Sequence, residues 1–205
     1  MLSRLAQNAA YFFAEKDVIK KEDIKIYAYG YETLFSEVIS WIITAIIAIA
    51  TKSVLETMVY MISFMQLRES IGGFHAKTHL GCIIISTVVY VLCLFLWSYT
   101  PYEWHRVIIV SGLILHLILV LAIAPVEHPN KPFSEKEAVR FRKKGCILSL
   151  IYIDISLLLM MLPWNICSVY SYAVLLGLLS ASVSMEIEYL RQTEEPAELA
   201  KFKKA

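Results

Sequence analysis

Arg68-Glu69-Ser70-Ile71-Gly72-Gly73-Phe74-His75-Ala76-Lys77-Thr78-His79-Leu80-Gly81-Cys82-Ile83-Ile84-Ile85-Ser86 is the stretch on which the reading of this chain turns. One apolar segment ends where it begins, and another opens as it closes. It is also the only place where a nucleophile, a base, a cation and paired glycines converge. A thiol that attacks a carbonyl needs partial ionisation, a nearby proton acceptor, and donors for the oxyanion that forms. Cys82 opens a long apolar segment, which puts its sulfur near a helix N-terminus, where unpaired N–H groups and the dipole favour a thiolate. His75 and His79 are both candidate bases. On one unbroken helix His79 and Cys82 share a face, whereas His75 lies about 10 Å along the axis. For His75 to act the chain must fold back, and Gly72, Gly73 and Gly81 permit the positive-φ conformations of such a turn. Spacing alone leaves the choice of base open.

Working outward, apolar segments lie at 34–51, 54–67, 80–100, 107–125, 146–162 and 166–185. The 205 residues are 58% hydrophobic and 18% charged, too apolar for an ordinary soluble domain. The fold class predicted is therefore all-α: a polytopic membrane protein with six transmembrane segments and no internal repeat. Residues 1–15 form an amphipathic helix, with Leu2, Leu5, Ala6, Ala9, Phe12 and Phe13 on its apolar side, lying in the membrane surface. The whole chain, 1–205, reads as one membrane-embedded domain. Its parts are an interfacial and cytoplasmic N-terminal region (1–33), a six-span bundle (34–185) and a short, charged, frayed tail (186–205).

Of the nineteen Lys and Arg, only Lys52 and Arg106 fall in the loops on one side. The excess of basic residues on the other side predicts that both termini and the 68–82 stretch are cytoplasmic. A net charge of +1 with no concentrated basic face argues against a nucleic-acid binder. The four cysteines, Cys82, Cys93, Cys146 and Cys167, are scattered, which suggests neither a disulfide framework nor a metal site.

The segment 54–67 is short, reaching about 21 Å as a helix against a core of roughly 30 Å. Gln66, Arg68 and Glu69 are then expected within the membrane boundary, facing protein or a water-filled recess. Asp154 and His116, near the middles of their spans, are each expected to face the bundle and find a partner. Asp154 is read as structurally paired or as orienting His75, and His116 as packed, neutral and hydrogen-bonded. Cys93 lies about 16 Å from Cys82 along a helix and reads as small apolar packing. Arg68 positions a substrate carboxylate or pairs with Glu69. Ser86 contacts the acyl group or bonds its own helix backbone. Ser134-Glu135-Lys136-Glu137 reads as a capping box opening an interfacial helix within the loop 126–145. The basic residues of that loop, Lys131 among them, anchor to anionic membrane lipid or attract an acidic part of a substrate.

Arg68, then Gly72-Gly73-Phe74-His75-Ala76, then Cys82 and Ser86 between short apolar hairpins, resembles the accessory gene regulator B (AgrB) family of bacterial membrane cysteine endopeptidases. Ala124-Pro125-Val126-Glu127-His128-Pro129-Asn130-Lys131-Pro132 is similar to that family's central loop. The resemblance implies a multi-pass protein of the bacterial cell membrane that cleaves an AgrD-like precursor of a quorum-sensing peptide pheromone and helps close it into a thiolactone or lactone. It also implies His75, rather than His79, as the base for Cys82, no metal or organic cofactor, and a homodimer. A peptide exporter without proteolysis, or a membrane scaffold, are the readings from other classes.

Overall fold

The computed structural model describes residues 2–16, 18–74, 76, 78–127, 133–162 and 165–202. These form seven α-helices: α1 (Leu2–Glu15), α2 (Ile24–Ala50), α3 (Val54–Ile71), α4 (His79–Tyr99), α5 (Tyr102–Ile123), α6 (Glu135–Met161) and α7 (Asn165–Phe202). Among the described residues there is no strand. Five helical stretches are long and apolar enough to cross a membrane: Lys21–Ala50, His79–Tyr99, Tyr102–Ile123, Glu135–Met161 and Cys167–Glu194. The remaining predicted span, 54–67, belongs to α3, which carries Glu56, Arg68 and Glu69 and is not among the five. It does not stop at Leu67. Its 18 residues run on to Ile71, about 27 Å of helix.

Two compact units share the chain: Met1–Lys52 with Ala76–Leu92, and Ser53–His75 with Cys93–Ala205. In the first, α1 lies against α2. Ala6, Ala10 and Ala14, four residues apart, form the buried stripe of α1. Ala10, Ala14 and Ile19 cluster with Phe13, Ile24, Ala28 and Tyr31, and the Phe13 and Tyr31 rings stack at 5.7 Å. Leu5 and Phe12, on the apolar side read from the sequence, are exposed, while the three alanines, having no bulk beyond Cβ, let the two backbones approach closely.

In the second unit α7 is central: 61% of its most apolar stretch is buried, against 28% or less in the other four. Residues 171–178 are all buried. α3 presents Tyr60, Ser63, Leu67, Ser70 and Ile71 at helical spacing, and at Gly177 it comes so close that a methyl group would strike Ser63 Oγ and the Tyr60 carbonyl. Polar groups in the interior pair across helices. Ser171 Oγ donates to Ser156 O at 2.7 Å while Ser156 Oγ lies 2.8 Å from Ser171 Oγ and reaches Ser171 O. This reciprocal pair joins α6 to α7. Ser171→Ala is expected to destabilise the protein by about 1 kcal/mol, read as a lower thermal midpoint in detergent; an unchanged midpoint would show that the pair contributes nothing net.

Two predicted boundaries change. Ser134 is the N-cap of α6 with both halves of the capping box formed, as the sequence indicates, but no separate interfacial helix follows. The helix runs unbroken from Glu135 to Met161, because the run holds no proline and its one glycine, Gly145, packs closely against Ile71. Likewise α7 does not end near 185: it continues to Phe202, and Glu188, within the tail expected to be frayed, is buried.

Candidate active site

α3 ends because Gly72 has φ +80 and ψ −168, a conformation that a residue with Cβ rarely adopts. A strap from the α5–α6 loop meets that end. Val126 N–H donates to Ile71 O at 2.9 Å, taking one of the carbonyls a helix C-terminus leaves unpaired. A Cβ on Gly72 would fall on Val126 O. The two motif regions quoted separately from the sequence are therefore in contact, Gly72 against Val126.

On the other side of the same segment stands α7. Phe74 N–H donates to Ser184 O at 2.8 Å and to Ser184 Oγ at 3.1 Å. Arg68 closes the arrangement: Nη1 donates to Ser184 Oγ at 2.9 Å and Nη2 to Phe74 O at 2.6 Å. Its guanidinium also lies over the Phe64 ring, 5.6 Å from the centroid, within cation–π range. Gly73 faces Ser184 so closely that a Cβ would come within 2.8 Å of its Oγ. Arg68 thus holds the chain that leaves α3. His75, the next residue after Phe74, lies outside the described residues, as does Lys131.

In the first unit, α4 begins at His79, with Thr78 before it. Gly81 N–H donates to Thr78 Oγ1 at 3.1 Å and Cys82 N–H to Thr78 O at 3.1 Å, the pattern of an N-capping residue. Gly81 is therefore not part of the turn, as the sequence suggested, but part of the first helical turn, which Thr78 nucleates. Cys82 follows it, half-buried and as a free thiol. Ser86 Oγ donates to Ile83 O at 3.0 Å, a bond to its own helix backbone. His79, three residues before Cys82, has its Nε2 3.6 Å from Glu32 Oε1 on α2.

Asp154 is corrected. It is exposed on α6 and has no hydrogen bond or ion pair among the described residues. The buried side of α6 is Gly145, Ser149, Tyr152 and Ser156, and a residue two positions from either Tyr152 or Ser156 projects about 200° away. His116 is buried, with Nδ1 2.6 Å from Ser182 Oγ. Cys93 is buried beside Ser180, Sγ to Oγ 3.5 Å.

Sequence reasoning missed Ser184 and Glu188. Glu188 Oε1 accepts from Gln192 Nε2 at 3.1 Å, and that amide also reaches Glu127 O, so the far end of α7 holds the α5–α6 strap. Neither residue belongs to a motif with fixed spacing, and Ser184 meets Phe74 across 110 positions of sequence.

Helices alone among the described residues, five of them of membrane length, and a free thiol one turn into a helix define a membrane protein with a candidate cysteine centre. The family model of accessory gene regulator B matches residues 6–185, and the chain belongs to that family, whose members take part in processing the quorum-sensing peptide of the accessory gene regulator system from its AgrD precursor. Among its relatives, an AgrB-like protein of Clostridium beijerinckii is 26% identical over 155 residues, 74% of this chain and 73% of that one. One of Clostridium perfringens is 26% identical over 148 residues, 69% of each. One of Listeria welshimeri is 31% identical over 134 residues, 64% of each. No solved structure matches.

Proposed function

We propose that the protein is a cysteine endopeptidase that cuts a pheromone precursor on the carboxyl side of its future ring, with Cys82 as nucleophile and His75 as base. The observation that carries this reading is the free, half-buried Cys82 thiol in the capped first turn of a long apolar helix. His75 takes the proton from Cys82 Sγ, and the thiolate attacks the peptide carbonyl carbon. As the tetrahedral intermediate collapses, the C–N bond breaks, the imidazolium returns its proton to the departing amine, and an acyl-enzyme thioester remains. A cysteine or serine of the precursor then attacks that thioester. Its Sγ or Oγ gives its proton to His75 and takes the acyl group, Cys82 leaves as the thiolate and recovers that proton, and a thiolactone or lactone is released.

Amide-to-thioester exchange is uphill and thioester-to-thiolactone exchange nearly neutral, so water must be kept from the intermediate. A site sunk at the inner face of the membrane serves that need. In this reading α3 is the sixth membrane segment, α1 lies in the interface, both termini are cytoplasmic, and the basic loop with Lys131 meets anionic lipid or the precursor. The working form is a homodimer. Arg68 and Gly73 position the catalytic segment, Ser86 is a helix-bonded neighbour of Cys82, and Asp154 stands outside the machinery.

The test is incubation of the purified protein in detergent with candidate precursors, read by mass spectrometry. A cleaved or cyclised peptide is expected; unchanged peptide would end the reading and leave export or scaffolding. His75→Ala is expected to abolish cleavage. His79→Ala, which frees Glu32 but spares the proposed base, is expected to keep it within about tenfold. Loss only in the His79 variant would move the base to His79.

A further inference from the structure

We infer that Ser184 is a positioning residue for this chemistry: from α7 it fixes the backbone that delivers the catalytic base. The inference rests on the endopeptidase reading above. Phe74 is the last described residue before His75, and both of its backbone hydrogen-bonding groups are held. The N–H is shared between Ser184 O and Oγ, and the C=O takes Arg68 Nη2. Ser184 Oγ is the common acceptor, since it also receives Arg68 Nη1. One hydroxyl thus bonds both the segment and the guanidinium that clamps it.

The approach of Gly73 to the same oxygen leaves the segment no room to move toward α7. The Val126 strap bonded at Ile71 holds the chain two residues earlier. A charge-assisted bond of this kind is about twice as strong as a neutral one. Without Ser184 Oγ, Arg68 Nη1 loses that acceptor and the Phe74 N–H keeps only its bond to Ser184 O. The base then starts from a backbone held by fewer bonds. A misplacement of about 1 Å costs on the order of a hundredfold in rate, and the loss falls on the chemical step, because Ser184 is bonded to the protein's own chain and not to substrate.

Ser180 supplies the control. It lies one turn away on α7, and its Oγ meets Tyr60 Oη at 3.3 Å and Cys93 Sγ at 3.5 Å, with no bond to the 72–74 segment. The experiment compares Ser184→Ala, Ser180→Ala and Cys82→Ala in detergent with a precursor peptide. Ser184→Ala is expected to lower kcat by about 10- to 100-fold with KM within about twofold, and Ser180→Ala to leave both near the parent values. Equal loss in the two serine variants, a raised KM with kcat intact, or no loss in Ser184→Ala would overturn the inference. Cleavage that persists in Cys82→Ala would instead overturn the endopeptidase reading. Should Ser184→Ala fail to fold, hydrogen exchange on the parent protein decides. The Phe74 amide is expected to be protected, and exchange at the free-peptide rate would overturn the inference.

Discussion

Cys82→Ala is expected to give a folded protein that cuts no precursor. The thiol has no hydrogen-bond partner among the described residues and is half-buried, so its removal costs no cross-helix bond and leaves only a small space. The thermal midpoint should stay within a few degrees of the parent. Activity should fall by at least about a thousandfold, because no other group in the proposed reaction replaces an attacking sulfur. Cys82→Ser tests the same point more narrowly: a hydroxyl of similar size keeps the packing but is a far weaker nucleophile at neutral pH. Cleavage by either variant at more than about a tenth of the parent rate would remove Cys82 from the mechanism.

Gly72→Ala is expected to damage both stability and activity. At φ +80 and ψ −168 an alanine is strained by about 1–3 kcal/mol, and its methyl would sit on Val126 O. Relief requires either the end of α3 or the 124–127 strap to withdraw, which breaks the bond from Val126 N–H to Ile71 O. We expect a fall in thermal midpoint of several degrees and a loss of cleavage beyond tenfold. Gly30→Ala is the contrast. It lies inside α2 with nothing within 4 Å of its added methyl, and alanine there should stabilise the helix by about 0.5–1 kcal/mol. If Gly72→Ala behaved like Gly30→Ala, the contact between the two motif regions would have no weight.

Much of this was legible without a structure, for reasons that particular residues display. Apolar runs mark where helices cross the membrane, and the Ser134 capping box marks where α6 starts. Hydropathy does not mark where helices end. α6 and α7 carry polar turns beyond their apolar stretches, and α3 continues past Leu67 through Arg68 to Ile71. Asp154 departs from its expected inward position because the cost of a charge does not set the register of a helix. Gly145, Ser149, Tyr152 and Ser156 give α6 a face of mostly small side chains that packs closely, and that face turns Asp154 outward. On α1 the buried stripe is likewise of small residues, Ala6, Ala10 and Ala14. The Gly72-Gly73 turn was visible because positive φ has a residue signature. The Ser184 clasp was not, since a serine in an apolar helix is ordinary, and its importance lies in partners at positions 68 and 74 that only folding brings near.

Acyl transfer through Cys82 passes through a covalent adduct, and the direct measurement is of that species. Parent protein in detergent is mixed with precursor, quenched in acid within the first turnover, weighed intact and then digested. A mass gain equal to the N-terminal fragment of the precursor less one water is expected, carried on the peptide containing Cys82 and released by hydroxylamine. Precursor cleavage with no adduct on Cys82 at any time point would contradict it.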